Sequence, residues 1–252
     1  MSAIQYSMVR RYMVGIICAL PEELRAIQCV FDSTDPTPPR APRDTNTYTV
    51  GLIDEHDVVA ACLLAGEYGL NAAASVASQM RMAFPAVDFC LLVGVAGGDV
   101  VVGVPTGSRA GLFVGTGCLN GPPPILLRAV DVLRTKLELV TSWFHECLDG
   151  LESKDALYKY PGEGLDLLLK PDCVHRASGL TCDDHRDYLI QKPTKESAYP
   201  YIHYGLVGSG NKLTRDTRIK DRLKSSAIIN IVPYLVMRGI CDYLDGHKNK
   251  VW

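Results

Sequence analysis

The chain lacks the features that mark secreted, membrane-spanning and nucleic-acid-binding proteins. Its 252 residues include no Asn-x-Ser/Thr sequon, no apolar run of membrane-spanning length and no N-terminal signal-peptide pattern. Basic and acidic residues nearly balance, 26 against 28, for a formal net charge of −2. This charge gives no electrostatic reason to expect a nucleic acid or an acidic membrane as a partner. The composition is that of a soluble globular protein.

Cysteine is present but is not arranged as a disulfide framework. The nine cysteines are scattered, and several lie inside apolar segments, namely Cys18, Cys62, Cys90 and Cys241. Buried free thiols in a reducing compartment explain this distribution better than disulfides do. We therefore expect a cytoplasmic protein.

The hydrophobic pattern predicts one α/β domain over residues 12–252, preceded by a flexible tail at 1–11. Continuous apolar runs at 12–19 and 88–95 are typical of strands covered on both faces. Helices are expected to begin at Pro21 and near Asn71. Further strands are predicted at 47–53, 58–64, 100–104, 203–208 and 233–238, a helix at 122–139, and mostly loops and short helices over 141–200. Strands that alternate with helices indicate a sheet between helical layers.

The most informative segment lies near the C-terminus, where the apolar run 232–241 is followed by Asp242. A buried strand that delivers one carboxylate at its carboxyl end is a common way to build an acid/base site in an α/β protein. The alternative is that Asp242 only caps the next element.

Five segments together resemble the nucleoside phosphorylase/nucleosidase superfamily, the purine and uridine phosphorylase family, in its fungal branch. They are ICALPEEL (17–24), AGEYGLNAAAS (65–75), LLVGVAGG (91–98), HYGLVGSGN (203–211) and VMRGICDYLDGHKNK (236–250). The resemblance implies a three-layer α/β/α fold with a central mixed sheet and cleavage of the N-glycosidic bond of a purine nucleoside. It also implies a small-molecule nucleoside as partner, no cofactor or metal, and a homo-oligomer.

The resemblance assigns two catalytic roles. Asp242 matches the general acid that donates a proton near purine N7 as the sugar becomes oxocarbenium-like. Glu23 matches the residue that holds and activates the attacking water in the nucleosidases. The alternative for Glu23 is structural, because Glu22 and Glu23 both suit the N-terminus of a helix.

The same segments favour hydrolysis over phosphorolysis. The phosphorylases of the family place Arg in the early loop and after the central Gly-rich strand. This chain has Pro21, Glu22 and Glu23 in the loop and no basic residue in VAGGDV (95–100). Two carboxylates without an Arg suit phosphate poorly. Phosphate is therefore expected as a co-substrate only if the protein is a phosphorylase.

Two further segments are expected to contact the substrate. Ala96, Gly97 and Gly98 match the turn that lines the ribose and base pocket, although a tight turn after a strand is the alternative. Ser209 and Asn211 match the base-recognition loop. An Asn amide offers a donor and an acceptor together and so suits 6-oxo and 6-amino purines alike.

The chain also departs from the family. The Met flanked by two Glu residues that binds the ribose hydroxyls is absent, and no Glu follows Glu196. The C-terminal helix that should cover the sheet is also absent, so self-association is expected. A catalytically inactive nucleoside-sensing or interaction module that keeps the fold is therefore the alternative function.

One cluster of possible zinc ligands remains, at Cys173, His175, Cys182 and His185. Its C-x-H-x6-C-x2-H spacing is not that of a standard zinc finger. We interpret it as part of a polar surface loop and expect no metal.

Overall fold

A computed structural model describes residues 9–38, 43–67, 70–95, 100–103, 122–160, 187, 189–191, 199–205 and 233–239. It contains eight strands in these ranges: β1 Val14–Cys18, β2 Ser33–Asp35, β3 Tyr48–Ile53, β4 His56–Cys62, β5 Phe89–Val95, β6 Val100–Gly103, β7 Ile202–Gly205 and β8 Tyr234–Gly239. Four α-helices accompany them: α1 Pro21–Val30, α2 Leu70–Ala83, α3 Pro124–Thr135 and α4 Leu137–Lys154.

The strands form one mixed sheet in the order β2-β3-β4-β1-β5-β8-β6-β7. The central neighbours β4, β1, β5 and β8 run parallel to one another. On one side β3 pairs antiparallel with β4, and β2 pairs antiparallel with β3. On the other side β6 pairs antiparallel with β8, and β7 pairs parallel with β6. The carboxyl ends of the four central strands therefore lie along one edge of the sheet, where α/β proteins commonly bind ligands.

Helix α2 covers one face of the sheet and builds the main core. Its side chains Val76, Ala77 and Met80 recur at helical spacing and are buried. Phe84, directly after the helix, meets the rings of Tyr12 and Tyr48 edge to face at centroid distances of 5.5 and 5.0 Å. Such aromatic pairs add to the stabilisation that burial of their surface provides.

Helices α1, α3 and α4 lie on the opposite side. Leu24 and Ile27 of α1 pack against the cluster that contains Ile16 and Cys18 of β1. In α3, Val130 packs with Leu235 of β8. Helical layers on both faces of a mixed sheet confirm the predicted three-layer α/β/α fold.

One prediction was wrong in part: residues 141–154, predicted as loops and short helices, belong to the 18-residue helix α4, which also takes in the end of the predicted helix 122–139. The apolar positions Val140, Phe144 and Leu148 do recur every four residues, but the segment also contains Gly150, a poor helix former. Gly also disfavours a helix interior by about 1 kcal/mol relative to Ala. The edge strand β2 was not predicted either, because it has only three residues and these are polar and largely exposed.

Candidate active site

The site is built where β1 ends and α1 begins. Leu20 is extended, and Pro21 occupies the first helical turn, where its missing N–H costs nothing. Glu23 follows at the third helical position, from which a Glu side chain can turn back to the N-terminal backbone amides. The sequence thus fixes a carboxylate beside the carboxyl end of β1.

The carboxylate of Glu23 accepts three backbone hydrogen bonds. Oε2 accepts from the amides of Ala19 at 2.7 Å and Leu20 at 2.9 Å, and Oε1 accepts from the amide of Val95 at 2.7 Å. The residue is only 7% exposed, and with Asn46 it is one of two buried polar residues in the described part of the chain. Glu23 therefore ties the β1–α1 loop to the end of β5, 72 residues further along the chain.

The guanidinium of Arg238 lies beside this carboxylate. Gly94 of β5 pairs in register with Arg238 of β8. A Cβ built on Gly94 would overlap the Arg238 guanidinium and lie 2.9 Å from Oε1 of Glu23. The missing side chain of Gly94 is therefore what gives the guanidinium its place next to Glu23.

Glu23 and Arg238 do not form a direct ion pair. The three ion pairs between described residues involve other partners, Arg11 with Asp35 and Asp57, and Arg25 with Asp155. Oε1 and the guanidinium nonetheless approach the same point above Gly94. The carboxylate of Glu23 and the guanidinium of Arg238 are thus slightly too far apart for a direct contact, and a single water molecule can bridge such a gap.

Arg238 overturns one expectation from the sequence, that no basic residue neighbours Glu23. Its position was missed because β5 and β8 lie more than a hundred residues apart in sequence and become neighbours only in the sheet. The only signal in the sequence is that Arg238 is the one charged residue within the otherwise apolar run 232–241.

Two thiols lie close to the carboxylate. Burial raises the pKa of Cys18 to about 12, with the negative charge of Glu23 adding to the rise and Arg238 opposing it. The pKa of Cys62, its register partner on β4, is also raised, first by burial and then by Glu23 and Glu22. Both groups are therefore neutral thiols at physiological pH and are poor nucleophiles.

The outer side of α1 is held by the end of α4 and the residues after it. Arg25 pairs with Asp155 at 2.5 Å, and the Lys154 ammonium donates to the Cys29 carbonyl at 2.6 Å. The hydroxyl of Tyr158 donates to the carbonyl of Glu22 at 2.9 Å. These contacts fix the helix whose first turn carries Glu23.

Of the predicted site residues, the structure places Glu23 at the strand edge. The others, Asp242, Ala96, Gly97, Gly98, Ser209 and Asn211, lie outside the described residues, as does the cluster from Cys173 to His185. Within the described ranges, no group of three or more His, Cys, Asp or Glu side chains could hold a metal ion. In the same ranges, no helix is long and apolar enough to cross a membrane.

Comparison with known sequences gives one informative relative. No family model matches the chain. A "Nucleotide-binding leucine-rich repeat (NLR)-like protein" of Hyaloscypha variabilis is 31% identical over 297 residues, which takes in 100% of this chain but only 29% of that protein. The chain thus spans less than a third of the relative's length. The aligned region is longer than the chain, so the relative carries additional residues within it.

Comparison with solved structures gives nucleosidases and a related hydrolase. A variant of the Helicobacter pylori MTAN with 5'-methylthioadenosine in its active site has a TM-score of 0.51 at 15% identity, covering 93% of this chain and 87% of that one. The 5'-methylthioadenosine/S-adenosylhomocysteine nucleosidase of Neisseria meningitidis has a TM-score of 0.51 at 14% identity, with the same coverage. The futalosine hydrolase of Helicobacter pylori has a TM-score of 0.50 at 16% identity, covering 97% and 90%. At these identities the likeness concerns the fold, and the chain has the fold of the nucleoside phosphorylase and nucleosidase superfamily.

Proposed function

We propose that the chain hydrolyses the N-glycosidic bond of a purine nucleoside at the strand edge formed by Glu23 and Arg238. The observation that carries the proposal is the buried Glu23 carboxylate, held by three backbone amides beside a guanidinium with which it forms no ion pair. The structural neighbours include enzymes whose names give 5'-methylthioadenosine, S-adenosylhomocysteine and futalosine as substrates, which supports a purine nucleoside as the substrate class.

Glu23 is suited to hold and deprotonate the attacking water. An ionised carboxylate offers about four acceptor positions, and three of them are filled by the amides of Ala19, Leu20 and Val95. The remaining position is on Oε1, the oxygen that approaches Gly94 and Arg238. A water bound there would be fixed in direction before substrate arrives, which lowers the entropic part of the barrier.

Arg238 would act on the same water as a fixed hydrogen-bond donor. A guanidinium has five N–H donors and no acceptor, so it presents donors to the water and leaves the water's protons for Glu23. As the water oxygen bonds to C1′ of the sugar, its proton passes to Glu23. The C1′–N bond breaks at the same time, and its electron pair goes to the purine.

The departing purine then needs a proton, for which Asp242 is proposed as general acid at N7. Asp242 comes three residues after the end of β8, the strand that carries Arg238. We propose Ala96, Gly97 and Gly98, which follow Val95 directly, for the sugar and base pocket, and Ser209 and Asn211 for base recognition. These roles rest on the family resemblance of the segments.

Hydrolysis is still favoured over phosphorolysis, although a basic residue is present at the site. A phosphate placed beside Arg238 would also lie beside Glu23, whose negative charge opposes its binding. The single guanidinium is thus offset by the carboxylate that the water mechanism requires. No cofactor is needed, and phosphate would enter only as a co-substrate of a phosphorylase.

A nucleoside-sensing or interaction module without catalysis is the second candidate. It is favoured by the relative's size and name, because the chain matches only 29% of an NLR-like protein. The three hydrogen bonds of Glu23 also serve the fold, since one of them reaches back to the N-cap residue Leu20 of α1. In this reading the same pocket binds a nucleoside and leaves the bond intact.

A nucleoside panel separates these alternatives. Purified protein is incubated with purine nucleosides with and without phosphate, and free base is followed. We expect base release that phosphate does not accelerate, and loss of this release in Asp242→Asn. Formation of ribose 1-phosphate would instead establish a phosphorylase, and tight nucleoside binding without base release would establish the sensing module.

Substitutions at two glycines test the role of Arg238 directly. Gly94→Ala should displace the guanidinium, because the new Cβ overlaps it, and should lower the rate by roughly 100-fold if the bound water is lost. Gly239→Ala is the matched control, because a Cβ there meets nothing within 4 Å. Equal rates in the two variants would remove Arg238 from the mechanism.

The five described cysteines are all free, which supports the proposal of a reducing compartment such as the cytoplasm.

A further inference from the structure

Three side chains at and after the end of α4 contact α1 at successive turns. The ammonium of Lys154 donates to a carbonyl near the end of α1. Asp155 forms an ion pair with Arg25 in the middle of the helix. The hydroxyl of Tyr158 donates to the carbonyl of Glu22 in the first turn, at 2.9 Å. The contact made by Tyr158 is therefore the one that lies beside the candidate catalytic carboxylate.

Tyr158 holds the peptide group that leads into Glu23. The carbonyl of Glu22 and the amide nitrogen of Glu23 belong to one planar peptide group. A hydrogen bond to this carbonyl therefore restrains the backbone from which the Glu23 side chain starts. Tyr158 is itself placed by the 3-10 helix Ala156–Tyr158, in which its amide donates to the Asp155 carbonyl at 3.0 Å.

The hydroxyl of Tyr158 keeps its proton, as a donor to a carbonyl must. The side chain is partly buried. Burial raises the pKa of Tyr158 above its ordinary value, with the negative charges of Asp155 and Glu22 adding to the rise and Arg25 opposing it. At physiological pH the phenol is therefore neutral and remains available as a hydrogen-bond donor.

The first turn of α1 has few other restraints. Pro21 has no amide hydrogen, and Leu20 makes no side-chain hydrogen bond that caps the helix. The first backbone bond of the helix runs from the Leu24 amide to the Leu20 carbonyl at 3.2 Å. Glu23 caps the turn itself, since its Oε2 accepts from the amides of Ala19 and Leu20. The same carboxylate thus serves as the cap of α1 and as the candidate base.

These two tasks of Glu23 conflict at the moment of proton transfer. In the proposed hydrolysis Glu23 receives a proton from the attacking water and becomes a neutral carboxylic acid. Hydrogen bonds to an ionised acceptor are roughly twice as strong as those between neutral groups, so the three amide bonds of Glu23 weaken when it is protonated. The first turn then depends on a restraint that the charge of Glu23 does not affect, and the hydrogen bond from Tyr158 to Glu22 is such a restraint.

We infer that Tyr158 is a positioning residue whose hydroxyl holds the first turn of α1 in place while Glu23 gains and releases its proton, an inference that rests on the proposed hydrolysis. Tyr158 contacts neither the water nor the substrate, and it acts by keeping Oε1 of Glu23 directed at the water. A displacement of about 1 Å in a reacting group can lower a rate by about 100-fold. Loss of the hydroxyl should therefore lower kcat by roughly tenfold and leave KM nearly unchanged.

The first experiment measures kcat and KM for Tyr158→Phe, which removes only the hydroxyl. Lys154→Met is the matched control, because it removes a donor from the same α4–α1 contact at the far end of α1. We expect a lower kcat in Tyr158→Phe and a kcat close to the wild-type value in Lys154→Met. A role limited to joining the two helices predicts similar effects. Equal kcat values in the two variants, or a loss in Tyr158→Phe confined to KM, would overturn the inference.

The second experiment measures amide hydrogen exchange by NMR and needs no substrate. The three amides that Glu23 holds should exchange at least several-fold faster in Tyr158→Phe and not in Lys154→Met. The Leu63 amide, which donates to the Cys18 carbonyl at the same edge of the sheet, is the internal reference and should not change.

The two experiments separate failure of the positioning role from failure of the proposed function. Absence of base release by the wild type would refute the proposed hydrolysis. Exchange of the three amides that is unchanged in Tyr158→Phe, or that rises equally in Lys154→Met, would refute the positioning role even in a protein that cleaves nucleosides.

Discussion

The two faces of the central sheet are packed to different degrees. The α2 face buries a continuous core that includes Val76, Met80, Phe84 and two tyrosines. On the opposite face, α3 buries Val130, while the one buried side chain of α1 is the polar Glu23. The described side chains of α4 are all at least partly exposed.

The tightly packed face of the sheet therefore contributes mainly to stability. The candidate catalytic carboxylate, Glu23, belongs to α1 on the loosely packed side. Regions that bind or move are commonly the less stable parts of a protein, because their groups must remain available to a ligand. We therefore expect substitutions on the α2 face to change mainly folding stability and those around Glu23 on the other face to change mainly activity.

The largest effect is expected for Phe84→Ala on the α2 face. Phe84 is 1% exposed and makes both edge-to-face contacts with Tyr12 and Tyr48, so its loss should lower the free energy of unfolding by about 3–5 kcal/mol. The matched control is Phe144→Ala on the half-exposed helix α4, for which urea unfolding should show a clearly smaller loss. Equal losses would mean that the two faces do not differ in packing.

The next effect is expected for Glu23→Gln. The amide –NH₂ of Gln cannot accept the amide hydrogens of Ala19 and Leu20 or of Val95, whichever oxygen it replaces. An unpaired buried donor costs about 1–3 kcal/mol, so unfolding in urea should occur at a correspondingly lower denaturant concentration. The rate of base release should fall by a much larger factor than the loss of folded protein alone would cause. Glu22→Gln, at the exposed neighbouring position, should change neither quantity appreciably.

Alkaline pH is expected to weaken both faces alike, because each contains a buried thiol. Burial raises the pKa of Cys18 and of Cys90 to about 12, from 9.0 for an exposed thiol. Between these values the unfolded chain has lost protons that the folded chain retains, so stability is complete below pH 9 and falls as pH rises towards 12. The loss by pH 10 should be roughly 1 kcal/mol per thiol.

Cys18→Ala with Cys90→Ala should flatten this pH dependence in urea unfolding measured from pH 8 to pH 10. Cys29→Ala controls for the loss of a sulfur on α1. A slope unchanged in the double variant would show that other groups cause the alkaline weakening.

The smallest effect is expected for Arg25→Ala, which removes the ion pair between α1 and Asp155. Arg25 is largely exposed, so the pair should contribute less than about 1 kcal/mol to unfolding. A double-mutant cycle with Asp155→Asn gives the coupling energy directly. A coupling above about 2 kcal/mol would indicate that the stability of the loosely packed face depends on this contact.

Much of the fold could be predicted because the sequence patterns that specify its strands and helices are local. The apolar runs of β1 and β5 and the Pro21-Glu22-Glu23 start of α1 specify their structure within a few residues. The helix α4 could not be predicted this way, since it contains Gly150 and none of its described side chains is fully buried.

The site was only partly predictable because half of it depends on strand order. Glu23 was predicted from the resemblance of its loop, and its amide contacts with Ala19 and Leu20 are local consequences of helix geometry. Its contact with Val95 and the approach of Arg238 arise from sheet register between distant segments.

The origin of the oxygen in the sugar product tests most directly whether Glu23 activates water for hydrolysis. Protein and a purine nucleoside that it cleaves are incubated in H₂¹⁸O with phosphate present, and the products are analysed by mass spectrometry. We predict free ribose or its derivative with one ¹⁸O, formed by the wild type and by Glu22→Gln but not by Glu23→Gln. Sugar 1-phosphate without ¹⁸O, or labelled sugar formed equally well by Glu23→Gln, would contradict it.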